Sequence, residues 1–138
     1  MQSHNVSQTL PPEVALQGLL SGVLLTQMVA VAARLGIADL LVDGPRHHAD
    51  LAADLEVSPP ALYRMLRSLA GHGVFAEDDA NPGVFHSTPV GNLLRSDIPG
   101  SQRSWAMVHG AEWLWRAIGH MPHSIRTCLL YTSDAADE

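Results

Sequence analysis

Residues 34–95 decide the fold, and they read RLGIADLLVDGPRHHADLAADLEVSPPALYRMLRSLAGHGVFAEDDANPGVFHSTPVGNLLR. Short helical patterns at residues 37–42 and 48–55 precede a third helix, which begins at a Ser-Pro-Pro tripeptide. Two short apolar runs, at residues 74–76 and 84–86, then flank an acidic turn and predict two strands. This order of elements predicts a mainly α protein, a winged helix-turn-helix with a small β-hairpin wing.

The charge of the chain argues against a nucleic-acid partner. The 138 residues carry a net charge of -6, and only eight of them are Lys or Arg. Phosphate binding depends on clustered basic residues, and the turn between the two strands carries Glu77, Asp78 and Asp79 instead. A protein-joining role is therefore expected. A truncated winged-helix DNA-binding transcriptional regulator remains the alternative.

The first long helix is predicted at residues 11–35, and it is apolar on nearly every side. Leu20, Leu24, Met28 and Val31 are predicted to share one face and to meet a second copy of the chain. The helix is barely long enough to cross a membrane, polar residues interrupt it, and neither end has a basic flank or an aromatic anchor. No membrane span is therefore expected. One face of such a helix can cover its own domain while another meets a second chain.

Two groups of residues are candidates for a small-molecule pocket. Gly18, Ser21 and Gly22 leave room on the first helix for another helix or a ligand. Trp105 and Met107 lie in a tryptophan-rich segment, and such a segment can line a pocket for a flat aromatic molecule. The alternative for this segment is an apolar core or interface.

The sequence predicts neither a metal site nor an oxidising compartment. Cys128 is the single cysteine, and the histidines lack a metal-ligand spacing with suitable partners. The N-terminus has no basic region of a signal peptide, so a cytoplasmic protein is expected.

The expected layout has three parts. Residues 1–10 form a flexible N-terminus, residues 11–127 form the helical and winged-helix domain, and residues 128–138 form a tail. The tail, CLLYTSDAADE, resembles a translated sequencing adapter, so it is interpreted as non-native. The natural protein is then expected to continue beyond Thr127.

Four stretches together resemble the N-terminal dimerisation domain of S-adenosylmethionine-dependent O-methyltransferases. They are VAARLGIADLLVDGP, ADLAADLEVSPPALYRMLRSLAGHGVF, FHSTPVGNLLRSDIPGSQRSWA and HSIRT. The resemblance implies an intertwined homodimer, a hydroxylated small-molecule acceptor, and a Rossmann-like domain that binds S-adenosylmethionine and carries the catalytic base.

None of the motifs of that second domain is found in this sequence. No catalytic or cofactor-binding residue is therefore assigned, and the chain alone is expected to be inactive. The resemblance also implies that the first helix can reach the substrate pocket of the partner subunit, which would give Gly18, Ser21 and Gly22 a place there.

Overall fold

A computed structural model of the chain describes residues 10–129. The helices and strands follow one another as α1 (Pro12–Leu35), α2 (Ile37–Leu40), β1 (Arg46–His47), α3 (His48–Leu55), α4 (Pro59–Gly71), β2 (Phe75–Glu77), β3 (Val84–Ser87), α5 (Pro89–Asn92), α6 (Arg103–His109), α7 (Glu112–Gly119) and α8 (Met121–Thr127). The predicted mainly α fold with a hairpin wing is confirmed. The predicted N-terminus 1–10 and tail 128–138 lie outside the described residues, apart from Leu10, Cys128 and Leu129.

The wing is a three-stranded antiparallel sheet with the order β1-β3-β2. The sequence predicted β2 and β3 but not β1, whose two residues pair with Phe85 and Val84. A strand of two residues has no alternation to detect, and its pairing partner lies far away in the chain. Strand β2 of the sheet contacts α4, and strand β1 contacts α3.

One apolar core joins the wing to the helices. Its largest fully buried side chains come from α2, α3, α4, β2 and β3, and they are Ile37, Leu51, Leu66, Leu69, Phe75 and Phe85. Small residues of α1 complete it, since Ala32 and Ala33 are almost fully covered. Only the C-terminal part of α1 thus belongs to the core.

A close helix contact fixes α1 against α6. Gly110 follows α6, and a Cβ atom added there would overlap the Ala30 side chain. The Arg34 side chain of α1 donates hydrogen bonds to the carbonyl oxygens of Met107 (3.2 Å) and Gly110 (2.9 Å). Glycine is required here because the two helices approach too closely for a side chain, and Arg34 satisfies carbonyls at the end of α6.

Candidate dimerisation surface and apolar cleft

The two halves of α1 have different surroundings. Its buried residues, Ala30, Ala32 and Ala33, all lie in the C-terminal half. The N-terminal half exposes large apolar side chains to an unusual degree: Leu19 is 79% exposed, Leu20 is 68% exposed and Leu24 is 66% exposed. We call this the α1 apolar surface, and its members are Val14, Leu16, Leu19, Leu20, Val23 and Leu24. Contiguous exposed apolar patches of this kind mark interaction sites.

The four residues predicted for the dimer interface do not share one environment. Leu20 and Leu24 belong to the α1 apolar surface. Met28 is half-buried and packs against the core of its own chain, and Val31 is also half-buried. Leu20 and Leu24 therefore have the most apolar area left to offer a partner, whereas much of Met28 is already used inside the chain.

A second apolar surface lies on the last two helices. Neither α7 nor α8 contains a buried residue. Their exposed large side chains are Trp113 (56%), Ile118 (42%), Met121 (53%) and Ile125 (77%). We call this the C-terminal apolar surface. In the described part of the chain, two separate apolar faces are thus without full cover.

The α1 helix is also long and apolar enough to cross a membrane, judged by length and composition alone. An 18-residue window of it has a mean hydropathy of 1.8, and only 6% of that window is buried. The same property suits a helix that is covered by another protein chain, and the attachment of α1 to α6 favours this second interpretation.

An open apolar cleft of about 400 Å³ lies between the C-terminal half of α1, α5 with the residues that follow it, and α6. Its lining residues are Leu25, Thr26, Val29, Val74, Val90, Leu93, Leu94, Gln102, Trp105, Ala106 and His109. The Trp105 ring contacts the His109 ring edge to face, with centroids 4.4 Å apart. A mostly apolar cleft with a few polar groups suits a small, flat organic molecule.

The predicted pocket residues fall in three different places. Trp105 lines the cleft, but Met107 is half-buried and packs against the core. Gly18 and Gly22 face open space, and the Ser21 hydroxyl donates to the Gly18 carbonyl oxygen at 2.8 Å. The structure therefore does not bring these residues together within one chain.

The residues that α1 contributes to the cleft were not predicted from the sequence. Spacings of four, three and four residues separate Gly18, Gly22, Leu25 and Val29, so these four residues lie on the same side of the helix. The sequence shows this spacing. It does not show that this side of α1 lines the cleft, because that depends on the position of α6.

The charges of the wing and of α4 disfavour binding to DNA. The Arg67 side chain, on α4, lies 3.4 Å from a Glu77 carboxylate oxygen and over the Tyr63 ring at 5.8 Å. The Tyr63 hydroxyl donates to Glu77 at 3.1 Å. At the tip, the backbone N–H of Ala80 donates to Asp78 and holds the pKa of that carboxyl below its usual range. Asp78 therefore stays charged, and its carboxylate would repel phosphate.

The described residues do not fit a bound methyl donor. Such a nucleoside cofactor usually lies beside a glycine-rich loop between a parallel strand and a helix, and every strand pair in this sheet is antiparallel. Residues 10–129 also contain no group of three or more His, Cys, Asp or Glu side chains placed to hold a metal ion.

A winged helix with an acidic wing and two uncovered apolar faces defines a class of protein, a protein-interaction module. The family model described as the O-methyltransferase dimerisation domain matches residues 17–97. The chain belongs to this family, whose members are dimerisation domains of S-adenosylmethionine-dependent O-methyltransferases. The regulator alternative is not favoured.

Full-length relatives agree with this assignment. A phenazine O-methyltransferase of Lysobacter antibioticus is 40% identical over 127 residues, covering 92% of this chain and 36% of that protein. The crystal structure of LaPhzM matches with a TM-score of 0.79 and 40% identity, covering 87% of this chain and 35% of that one. CalO1, a methyltransferase in calicheamicin biosynthesis solved in its SAH-bound form, matches with a TM-score of 0.73 and 32% identity, covering 91% of this chain and 35% of that one. This chain thus spans about a third of the length of these relatives.

Proposed function

We propose that this chain joins two subunits of a methyltransferase into a homodimer, and that the parent enzyme transfers a methyl group from S-adenosylmethionine to a hydroxyl of a small organic molecule. The observation that supports this proposal best is the α1 apolar surface, because Leu19, Leu20 and Leu24 each remain about two-thirds or more exposed within one chain. The family membership supplies the context.

The methyl donor is bound outside residues 10–129 in this proposal. The antiparallel wing offers no place for it. The relative CalO1 was solved with SAH, the form that S-adenosylmethionine takes after losing its methyl group. We expect no methyl transfer from the chain by itself, because a methyltransferase needs the donor and a base in one site.

The chain also contributes to the acceptor site in this proposal. Trp105 offers a flat apolar wall to an aromatic acceptor, and Gln102 and His109 place polar groups at the same cleft. Gly18, Ser21 and Gly22 would leave room near the acceptor of the partner subunit, since no atom lies within 4 Å of a Cβ atom built at either glycine.

A cytoplasmic location is part of the proposal. The single cysteine supports it, since one thiol forms no disulfide within the chain. The apolar length of α1 is then covered by the second subunit and not by lipid.

Sedimentation equilibrium on the purified 138-residue chain tests the central claim. A dimer is expected, and a folded monomer at micromolar concentration would refute it. A gel-shift assay with duplex DNA at two salt concentrations tests the regulator alternative. No salt-sensitive binding is expected, because Arg67 is paired with Glu77.

Binding of planar phenolic compounds to the dimer tests the acceptor site. Saturable quenching of tryptophan fluorescence is expected, and Trp105→Ala should reduce it. Trp113→Ala, which changes a tryptophan outside the cleft, is the matched control. Equal quenching in wild type and Trp105→Ala would argue against the cleft.

A further inference from the structure

The lining of the apolar cleft contains no Asp, Glu, Lys or Arg in the part of the chain that the structure describes. The arginines of α1 and α6 are held by other groups. Arg34 of α1 donates to the carbonyl oxygens of Met107 and Gly110. Arg103 of α6 pairs with Asp39 at 2.9 Å. An ionised ligand would give up water in the cleft without meeting an opposite charge, which is costly. The cleft therefore favours an uncharged molecule.

Two polar side chains of the cleft, Thr26 and His109, use their own donors on the helix backbone. The Thr26 hydroxyl donates to the Gly22 carbonyl oxygen at 2.9 Å. His109 Nδ1 lies 2.9 Å from the Trp105 carbonyl oxygen. A carbonyl oxygen only accepts, so Nδ1 carries the proton of the neutral ring and Nε2 carries the lone pair. Both side chains are half-buried, and both offer only acceptor atoms to a ligand.

The other two polar side chains of the cleft are more exposed. Trp105, whose indole N–H is a donor, is 64% exposed, and Gln102 is also exposed. Gln102 Nε2 donates one hydrogen to the Gly100 carbonyl oxygen at 3.1 Å and keeps a second N–H and its own carbonyl oxygen. Water satisfies exposed groups of this kind without a ligand, so they contribute little to selectivity. The half-buried acceptors of Thr26 and His109 are therefore the polar atoms that matter most.

His109 is the better placed of these two acceptors. Its ring packs edge to face on the Trp105 ring, with centroids 4.4 Å apart, and its Nδ1–H is bonded to the backbone of α6. These two contacts fix the ring, and Nε2 has no hydrogen-bond partner within residues 10–129. An imidazole nitrogen is a base, so it accepts a hydrogen bond more strongly than the hydroxyl oxygen of Thr26 does.

We propose that the cleft selects an uncharged aromatic molecule, and that an O–H or N–H group of this molecule donates a hydrogen bond to His109 Nε2. This inference rests on the proposed function, which takes the cleft as part of the acceptor site. It adds the chemical class of the acceptor and the residue that selects it. An aromatic carboxylate is disfavoured, because its charge would lie in apolar surroundings and its oxygens accept hydrogen bonds as Nε2 does.

Three matched probes test this proposal on the full 138-residue chain: 2-naphthol, its ether 2-methoxynaphthalene, and 2-naphthoate. Binding is followed by quenching of tryptophan fluorescence at pH 8, where histidine side chains are ordinarily neutral. The wild type should bind 2-naphthol about two- to tenfold more tightly than the ether, which is the effect of one hydrogen bond. The carboxylate should bind more weakly than the ether. His109→Phe keeps a ring against Trp105 but removes the acceptor, so it should bind 2-naphthol and the ether equally.

His72→Phe is the matched control variant. His72 Nδ1 makes the same kind of bond, to the Ser68 carbonyl oxygen at 2.8 Å, but His72 lies outside the cleft. This variant should keep the preference for 2-naphthol, and so should Thr26→Val, which removes the other half-buried acceptor. Thermal unfolding followed by circular dichroism confirms that each variant is folded.

The possible failures are distinguishable. If the preference for 2-naphthol survives in His109→Phe, or if 2-naphthoate binds as tightly as 2-naphthol, the role of His109 is wrong while the cleft stands as a ligand site. If the wild type binds none of the three probes, the acceptor site of the proposed function fails, and this inference fails with it. Sedimentation equilibrium tests the homodimer independently of both results.

Discussion

Leu24→Asp should separate the two subunits. Leu24 is 66% exposed in the single chain, so about two-thirds of its side chain is available for burial against a partner. Full burial of a leucine contributes about 1.5–3 kcal/mol, which leaves roughly 1–2 kcal/mol for each copy and roughly 2–4 kcal/mol for the dimer. Each 1.4 kcal/mol is tenfold in affinity, so the dissociation constant should rise about 30- to 1,000-fold. The cost of desolvating two aspartates increases the effect further.

Sedimentation velocity over a concentration series measures this change directly. The control is Val42→Asp, which introduces the same charge at a 46% exposed valine outside the α1 apolar surface. Val42→Asp should leave the association unchanged, and thermal unfolding followed by circular dichroism should show that the winged-helix body stays folded in both variants. A Leu24→Asp protein that dimerises as tightly as the wild type would refute the assignment of this helix to the interface.

Three further changes test the packing and the wing. Gly110→Ala should destabilise the fold by about 1–3 kcal/mol because its Cβ would overlap Ala30, whereas Gly119→Ala, with open space around it, should be nearly neutral in thermal melting. Arg34→Met should lose about 1 kcal/mol in urea unfolding through its two hydrogen bonds to carbonyls, and equal stability of variant and wild type would show that water replaces them fully. The hydrogen bond from the Ala80 N–H lowers the pKa of Asp78 in the folded state. The ionised Asp78 therefore stabilises the fold at pH values above the pKa that it has in the unfolded chain. This stabilisation is lost as the pH falls through the lower pKa of the folded state. Melting between pH 6 and pH 2 should therefore show a smaller acid effect in Asp78→Asn than in the wild type.

The elements with strong local signals were predicted well from the sequence. The start of α4 is set by Pro59, which suits the first turn of a helix, and the end of α1 is set by Gly36, whose φ of 68° is costly for other residues. The strand β1 carried no such signal, because its pairing depends on β3 nearly 40 residues away.

The candidate site was less predictable from the sequence. Helix periodicity shows which residues share one face of a helix, but it does not show which other elements that face contacts. Leu20 and Met28 were predicted to share one interface face, yet only the position of the core shows that Met28 packs against its own chain. In the same way, Trp105 was predicted to line a pocket. The α1 residues that line the same cleft, Leu25, Thr26 and Val29, could not be predicted because their role depends on the position of α6.

The first three turns of α1 do not pack against the rest of the chain, so we expect them to fold as a helix only when two subunits associate. Residues 12–24 contribute no side chain to the apolar core. The segment also contains Gly18, Ser21 and Gly22, all of which have lower helix propensity than alanine. A segment of about a dozen residues is a marginal helix in water when nothing packs against it. On dilution, this segment should unwind as the subunits part, while the winged-helix body stays intact. Formation of this helix costs free energy and so reduces the net free energy of association. Gly18→Ala, which favours the helix, should therefore lower the dimer dissociation constant without adding a contact between the subunits.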